Sequence, residues 1–306
     1  MRQSFTYFIT DREDGMTVDE LLHAYGYSRH LIIDLKKSPA LLTLNGCHVY
    51  VTRKLHTGDT LQVRLPEETS SEHIVATPIP LDIIYEDEDL IIINKQANLP
   101  IHPSQGNFSN TLANGMAWYF EQKAEPFVCR VINRLDRDTT GLLILARHAL
   151  SACILSDMVR TRQIHRTYLA AAGGDLRKVI PGRTGTIQAP IARVDGSTIE
   201  RQVDFERGET AVTHFHFLSY QKAVDASLIE LKLETGRTHQ IRVHMKYLGC
   251  PLFGDFLYNP DYRFIKRQSL HSWKLEFTHP ITGEPLFFTA PIPEDMRIFT
   301  NGTSLS

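Results

Sequence analysis

The sequence predicts an α+β protein: a mixed, largely antiparallel sheet forms the larger part, and a small α+β module precedes it. Two observations carry this. Strand-like segments recur from residue 168 onward, so the larger part is strand-rich with a few packed helices. An acidic, Ser/Thr-containing stretch, residues 67–80, is framed by Pro66, Pro78 and Pro80 and reads as an exposed linker between parts of unequal size. The expected division is therefore 1–66, 67–80 and 81–306, and no internal repeat at a solenoid period stands out.

The module begins with helical spacing at Val18, Leu21, Leu22 and Tyr25, a break at Gly26, and a second pattern through Leu31, Ile32 and Leu35. Strands are expected at 42–44, at 49–51 beyond the turn pair Asn45-Gly46, and at 61–65 beyond Gly58-Asp59. After the linker, residues 83–85 and 90–93 flank the acidic turn 86–89, a hairpin feeding the larger sheet. Residues 111–122 read as a helix, 142–146 as a buried strand and 148–162 as a helix with Leu150, Cys153, Ile154 and Met158 on one face. Strands follow at 168–172, 186–191, 212–218, 226–234 and 275–277.

Composition excludes several classes. Hydrophobic residues make up 42% and charged residues 22%, as in a globular chain that buries a core. The apolar runs 90–93 and 142–146 fall far short of the ~20 residues of a membrane span, and no signal peptide is visible. Cys47, Cys129, Cys153 and Cys250 form no CxxC pair, which fits reduced thiols. The expectation is a cytoplasmic chain. Its net charge of −2 announces no polyanionic partner, yet residues 67–125 hold ten acids and two bases while 126–210 hold thirteen bases and nine acids. The bases at Arg130, Arg134, Arg137, Arg147, Arg160, Arg162 and Arg166 form either a local basic face or solvated helix faces.

No phosphate loop, dinucleotide fingerprint, HExxH or GxSxG elbow is present. The acids at 86–89 read as solvated rather than as a metal site. The pairs His214/His216 and His239/His244 lack a third ligand and read as surface or hydrogen-bonded core histidines. Two segments stand apart. Asn133-Arg134-Leu135-Asp136-Arg137-Asp138-Thr139-Thr140-Gly141 sets Asp136 between two guanidinium groups just before an apolar strand, where positive charge favours an ionised carboxylate. Further on, Thr235-Gly236-Arg237-Thr238-His239-Gln240 leads a strand into a helix whose first turn offers groups able to contact phosphate or ribose. Each also has a plain structural reading: a surface salt-bridge turn, and a capped helix start.

Together RLDRDTTG at 134–141, TGRTHQIRVH at 235–244 and GCPLFGD at 249–255 resemble the RluA-type pseudouridine synthases, which isomerise uridine in structured RNA. The resemblance extends from YEDEDLIIINK at 85–95 and HPS at 102–104 to the segment 269–293, nearly the whole larger part. Residues 17–66 resemble the alpha-L RNA-binding module that often precedes this catalytic domain, although its bases Arg29, Lys36, Lys37, Arg53 and Lys54 are few.

The resemblance implies an isomerase that works without a cofactor or metal, on ribosomal or transfer RNA, as a monomer. It implies Asp136 as the essential aspartate, as nucleophile or base; Arg242 as its basic partner; and Tyr168 as the tyrosine that stacks on the target base. Arg134 is implied to fill the space left by a flipped base, and Arg137, Arg237, His239 and Gln240 are the further RNA-contacting candidates. Three positions depart from the family: Asn133 stands where histidine is frequent, Gln96 where proline is usual and Asn98 where glycine is common.

Overall fold

In the computed structural model, which describes residues 1–71, 73–300 and 303, the chain forms two sheets and a short ribbon. The first sheet contains β1 (Ser4–Phe8), β2 (Leu42–Leu44), β3 (Cys47–His48) and β4 (Thr60–Arg64), ordered β1-β4-β2-β3 and antiparallel throughout. Against it lie α1 (Val18–Ala24) and α2 (Arg29–Leu35). Both start where a side chain can satisfy a free first-turn N–H: Thr17 accepts from the Glu20 amide, and Ser28 accepts from that of Leu31. The Glu20 carboxylate reciprocates on the Thr17 amide. The strand expected at 49–51 lies earlier, because the two-residue turn Asn45-Gly46 pairs Leu44 with Cys47 at once and the ladder ends at His48.

The larger part contains β5 (Ile83–Glu86), β6 (Leu90–Lys95), α3 (Leu112–Gln122), β7 (Thr140–Ala146), α4 (Ala149–Arg160), β8 (His165–Gly173), β9 (Thr184–Gln188), β10 (Ile191–Arg193), β11 (Arg201–Val203), β12 (Val212–Gln221), β13 (Ala226–Leu233), α5 (Gln240–Tyr247), β14 (Leu270–Thr278), β15 (Pro285–Thr289) and α6 (Arg297–Thr300). Its sheet is ordered β5-β6-β7-β14-β8-β13-β12-β9, with β15 on β14, and β10 and β11 form the separate ribbon. Among the described residues the one parallel pairing is β7 with β14. The segment expected as one strand over 186–191 is two, broken at Pro190, which has no N–H to donate.

Alternation along β7 divides the core. Leu143 and Leu145 pack with Leu112, Met116 and Phe120 of α3 and with Ile241 and Met245 of α5. Leu142, Ile144 and Ala146 pack with Leu155 and Met158 of α4 on the other face. At roughly 1.5–3 kcal/mol for each large side chain fully buried, these two layers fix the sheet between the helices.

Residues 67–71 and 73–80 are not a free tether. Glu68 binds the Arg130 guanidinium through two hydrogen bonds, Ser70 Oγ accepts from the Phe127 amide, and the Ser71 amide donates to Phe127 O. Thr77 N donates to Asn114 O, and Ile79 packs against the core of the larger part. Acidic composition hid this, because one of its acids, Glu68, meets an arginine of the larger part. The module is docked as well: Leu150 of α4 lies in its core, and Arg2 reaches across to Asp89.

Candidate active site

The middle of the larger sheet brings three motifs together. Gly141 at the start of β7 is in register with Ser272 of β14, which is in turn in register with Tyr168 of β8. Asp136 lies five residues before Gly141 in the turn feeding β7, where the Thr139 amide donates to Asp136 O. Gly141 is required: its φ is +105°, and a Cβ there would lie 2.1 Å from Ser272 O. Gly254 has the same constraint, with φ +67° and a Cβ position 2.1 Å from Arg267 O.

Arg242, on α5, joins two carboxylates. Its Nη1 donates to Asp136 Oδ2 at 2.8 Å, while Nε and Nη2 each donate to Asp255 at 2.7 Å. The guanidinium is 1% exposed, Asp255 0% and Asp136 27%, so the relay runs from a dry anchor to a carboxylate open to the outside. Burial alone would lower the pKa of Arg242, but Asp255 and Asp136 overcome it and the net direction is up. Asp255 also accepts from the amides of Leu257 and Tyr258, and Arg242 lies over the rings of Tyr258 and Phe256.

His239 Nε2 is 3.9 Å from Asp136 Oδ2, and its Nδ1 is hydrogen-bonded to the Tyr258 hydroxyl at 3.0 Å. Burial lowers its pKa, against the pull of Asp136. Tyr168 is buried on β8, and its hydroxyl is raised first by burial, with Asp136 adding to the rise. Asp136, Arg242, His239 and Tyr168 thus share one place.

Other candidates stand differently. Arg134 is exposed and has no hydrogen-bond or ion-pair partner among the described residues. Arg137 is half-exposed, paired with Asp138 and close to the Phe256 ring. Arg237 turns to Glu209 and Thr210 O. Gln240 must be corrected: it is buried, its Oε1 accepts from Thr235 Oγ1 and the Arg237 amide, and its Nε2 donates to Val212 O and Thr213 Oγ1. The helix begins at Gln240, after His239 at φ +59°, so this amide closes the turn and faces no ligand.

Lys95 belongs to the site, and the spacing argument missed it. Its buried Nζ donates to the carbonyls of Gln96 (2.8 Å), Leu99 (3.0 Å) and Arg137 (2.8 Å), tying the Asp136 loop to the end of β6. Burial pushes its ammonium down to about 7, against the charges of Asp138 and Asp136. Arg267 grips the same loop, its Nη1 3.3 Å from Asp138 O. A lysine closing an apolar strand was the available signal.

The three departures have local explanations. Asn98 has φ +56°, a conformation that asparagine tolerates better than most side chains. Asn133 is buried and bonds the backbone of β7 at Ile144 N and Leu142 O. Gln96 offers Lys95 its main chain, whatever its side chain.

Asp87, Asp89 and His279 have donor atoms within 4.8 Å of one another. Of the acids at 86–89, Glu88 is exposed as their turn implied, but Asp87 and Asp89 are used. Asp87 accepts from Tyr85 Oη and His279 Nε2, and Asp89 from Arg2 and His148 Nε2. His279 Nδ1 accepts from the amides of Ile281 and Thr282, so its other nitrogen carries the proton and has no lone pair for a metal. His244 is a satisfied core residue between Thr213 Oγ1 and Ala189 O. Nor do the seven arginines form one basic face, since Arg130, Arg147, Arg160 and Arg162 are paired with acids.

Residues 89–247 match the family described as RNA pseudouridylate synthase. The chain belongs to the RNA pseudouridine synthases. This synthase is 42% identical over 287 residues to a Bacillus subtilis protein described as the uncharacterized RNA pseudouridine synthase YjbO, covering 94% of this chain and 99% of that one. It is 38% identical over 257 residues to ribosomal large subunit pseudouridine synthase D of Xanthomonas campestris, covering 79% and 75%. Its fold matches human RNA pseudouridylate synthase domain containing 1 with a TM-score of 0.57 at 26% identity, covering 71% of this chain and 85% of that one. The synthase is an isomerase acting on RNA. Among the described residues, no helix is long and apolar enough to cross a membrane.

Proposed function

We propose that this synthase isomerises specific uridines of large-subunit ribosomal RNA, as a cytoplasmic monomer, with Asp136 as the essential residue. The observation that supports it most is the Arg242 relay, which holds a partly exposed carboxylate in one orientation from a buried anchor. Relatives named for the large ribosomal subunit, and the docked N-terminal module, favour ribosomal over transfer RNA.

In the proposed reaction the bond from C1′ to N1 of uracil breaks, the ring turns, and a bond from C1′ to C5 forms; the C5 hydrogen leaves as a proton and N1 gains one. Asp136, charged and aimed by Arg242, acts as nucleophile or base. Tyr168 lies against the uracil ring while it turns. Arg134, unpaired and exposed, enters the stack that the flipped uridine leaves, where its planar guanidinium replaces a base.

The test is pseudouridine mapping of total RNA from cells with and without the gene, rescued with wild type or Asp136→Asn. The expected result is the loss of one or a few ribosomal sites, restored by wild type alone. Lost transfer-RNA sites would overturn the substrate, and rescue by Asp136→Asn would overturn the role of Asp136. No changed site, with RNA still crosslinked to the protein, would favour an RNA-binding protein without turnover.

A further inference from the structure

We propose that Phe256 is a stacking platform for an unpaired nucleobase next to the target uridine, and so a specificity-determining residue of the site. This rests on the reading above. Phe256 follows a fully buried aspartate and comes two residues before the buried Tyr258, yet it is itself 44% exposed. Its place is fixed by its neighbours rather than by its own packing: Asp255 accepts from the amides of Leu257 and Tyr258, and the Asn259 amide donates to Asp255 O at 2.8 Å. An apolar ring is thereby held in water at the rim of the site.

Its surroundings select the ligand. The Phe256 ring centroid is 5.8 Å from the Arg137 guanidinium and 5.5 Å from that of Arg242, the residue that holds Asp136. Arg137 lies over the ring and is itself half-exposed, so the part of the ring that stays open to water adjoins a cation that can meet phosphate. Aromatic rings interleaved with arginine bind single-stranded nucleic acid through base stacking and backbone charge. The target uracil has its own ring in the buried Tyr168; Phe256, outside it, is placed for a neighbouring base. A ring that merely kept water from the ion pair would need no open surface, and leucine would serve as well.

The test uses RNA labelled with tritium at C5 of uridine, which turnover releases, and Phe256→Leu, →Ala and →Tyr variants. The stacking role predicts KM raised roughly tenfold in the Leu and Ala variants, kcat and melting temperature little changed, and Tyr near wild type. A Leu variant equal to wild type, or a loss confined to kcat, would overturn it. A binding arm needs no turnover: a stem-loop RNA with one loop uridine flanked by 2-aminopurine, whose fluorescence wild type quenches and Phe256→Leu does not. Equal quenching by both overturns the platform. If wild type releases no tritium from any RNA, the synthase reading of the site has failed, and the quenching arm still decides the fate of Phe256.

Discussion

Asp136 and Asp255 share one guanidinium, and replacing each by asparagine separates chemistry from stability. Asp255 is fully buried and accepts four hydrogen bonds, two from Arg242 and two from backbone amides. Asparagine there turns one acceptor into a donor against other donors and leaves Arg242 buried without its main counterion. Breaking a buried pair in this way costs about 3–5 kcal/mol, or roughly 6–20 °C of melting temperature at about 2–4 °C per kcal/mol. Asp136 is 27% exposed, and its loss leaves Arg242 bound to Asp255, so Asp136→Asn is expected to cost under about 1 kcal/mol. Thermal unfolding by circular dichroism reads the first quantity and tritium release the second. The expected pattern is a stable, inactive Asp136→Asn and an unstable Asp255→Asn that keeps some turnover at low temperature. An Asp255→Asn protein melting with wild type, or below-wild-type melting confined to Asp136→Asn, would refute the relay as drawn.

Three further outcomes are expected. Because the pKa of Lys95 falls to about 7 on folding, its contribution to stability is complete above the unfolded value of 10.5 and is lost as pH falls towards 7. Wild type is therefore expected to gain on Lys95→Met by up to about 1.4 kcal/mol per pH unit above about pH 7; urea midpoints giving a pH-independent difference would contradict this. Gly141→Ala is expected to cost on the order of 3 kcal/mol or to prevent folding, checked by soluble yield and urea denaturation; a wild-type midpoint would contradict the close approach to Ser272. Arg134→Ala is expected to lower turnover on folded RNA more than on a single-stranded uridine, and equal losses in a paired kinetic assay would exclude its part in base flipping.

Much of the fold is legible where local signals act alone. Thr17, Ser28 and Thr111 cap the helices expected beside them, and the hairpin around residues 86–89 follows from two apolar runs across a polar turn. Long-range pairing is not legible in this way. β1 pairs with β4, more than fifty residues on, and its alternation is broken at Phe8, which is exposed. β14 begins well before residue 275, because His271 and Ser272 are buried polar residues that break the apolar pattern. At the site, motifs singled out Asp136, Tyr168 and Arg242, which the fold brings together. Lys95 and Phe256 escaped notice, since their part depends on carbonyls and guanidinium groups that only the fold brings near.

The Lys95 clamp grips main chain, and this affects how the enzyme can change. All three of its acceptors are carbonyls, which no point substitution removes. Side chains around the loop can therefore change while its main chain stays gripped, and the glutamine at 96 offers the same carbonyl that any residue there would. Diversification among such enzymes is cheapest where geometry is written in backbone and recognition in exposed side chains, the part proposed above for Arg134 and Phe256.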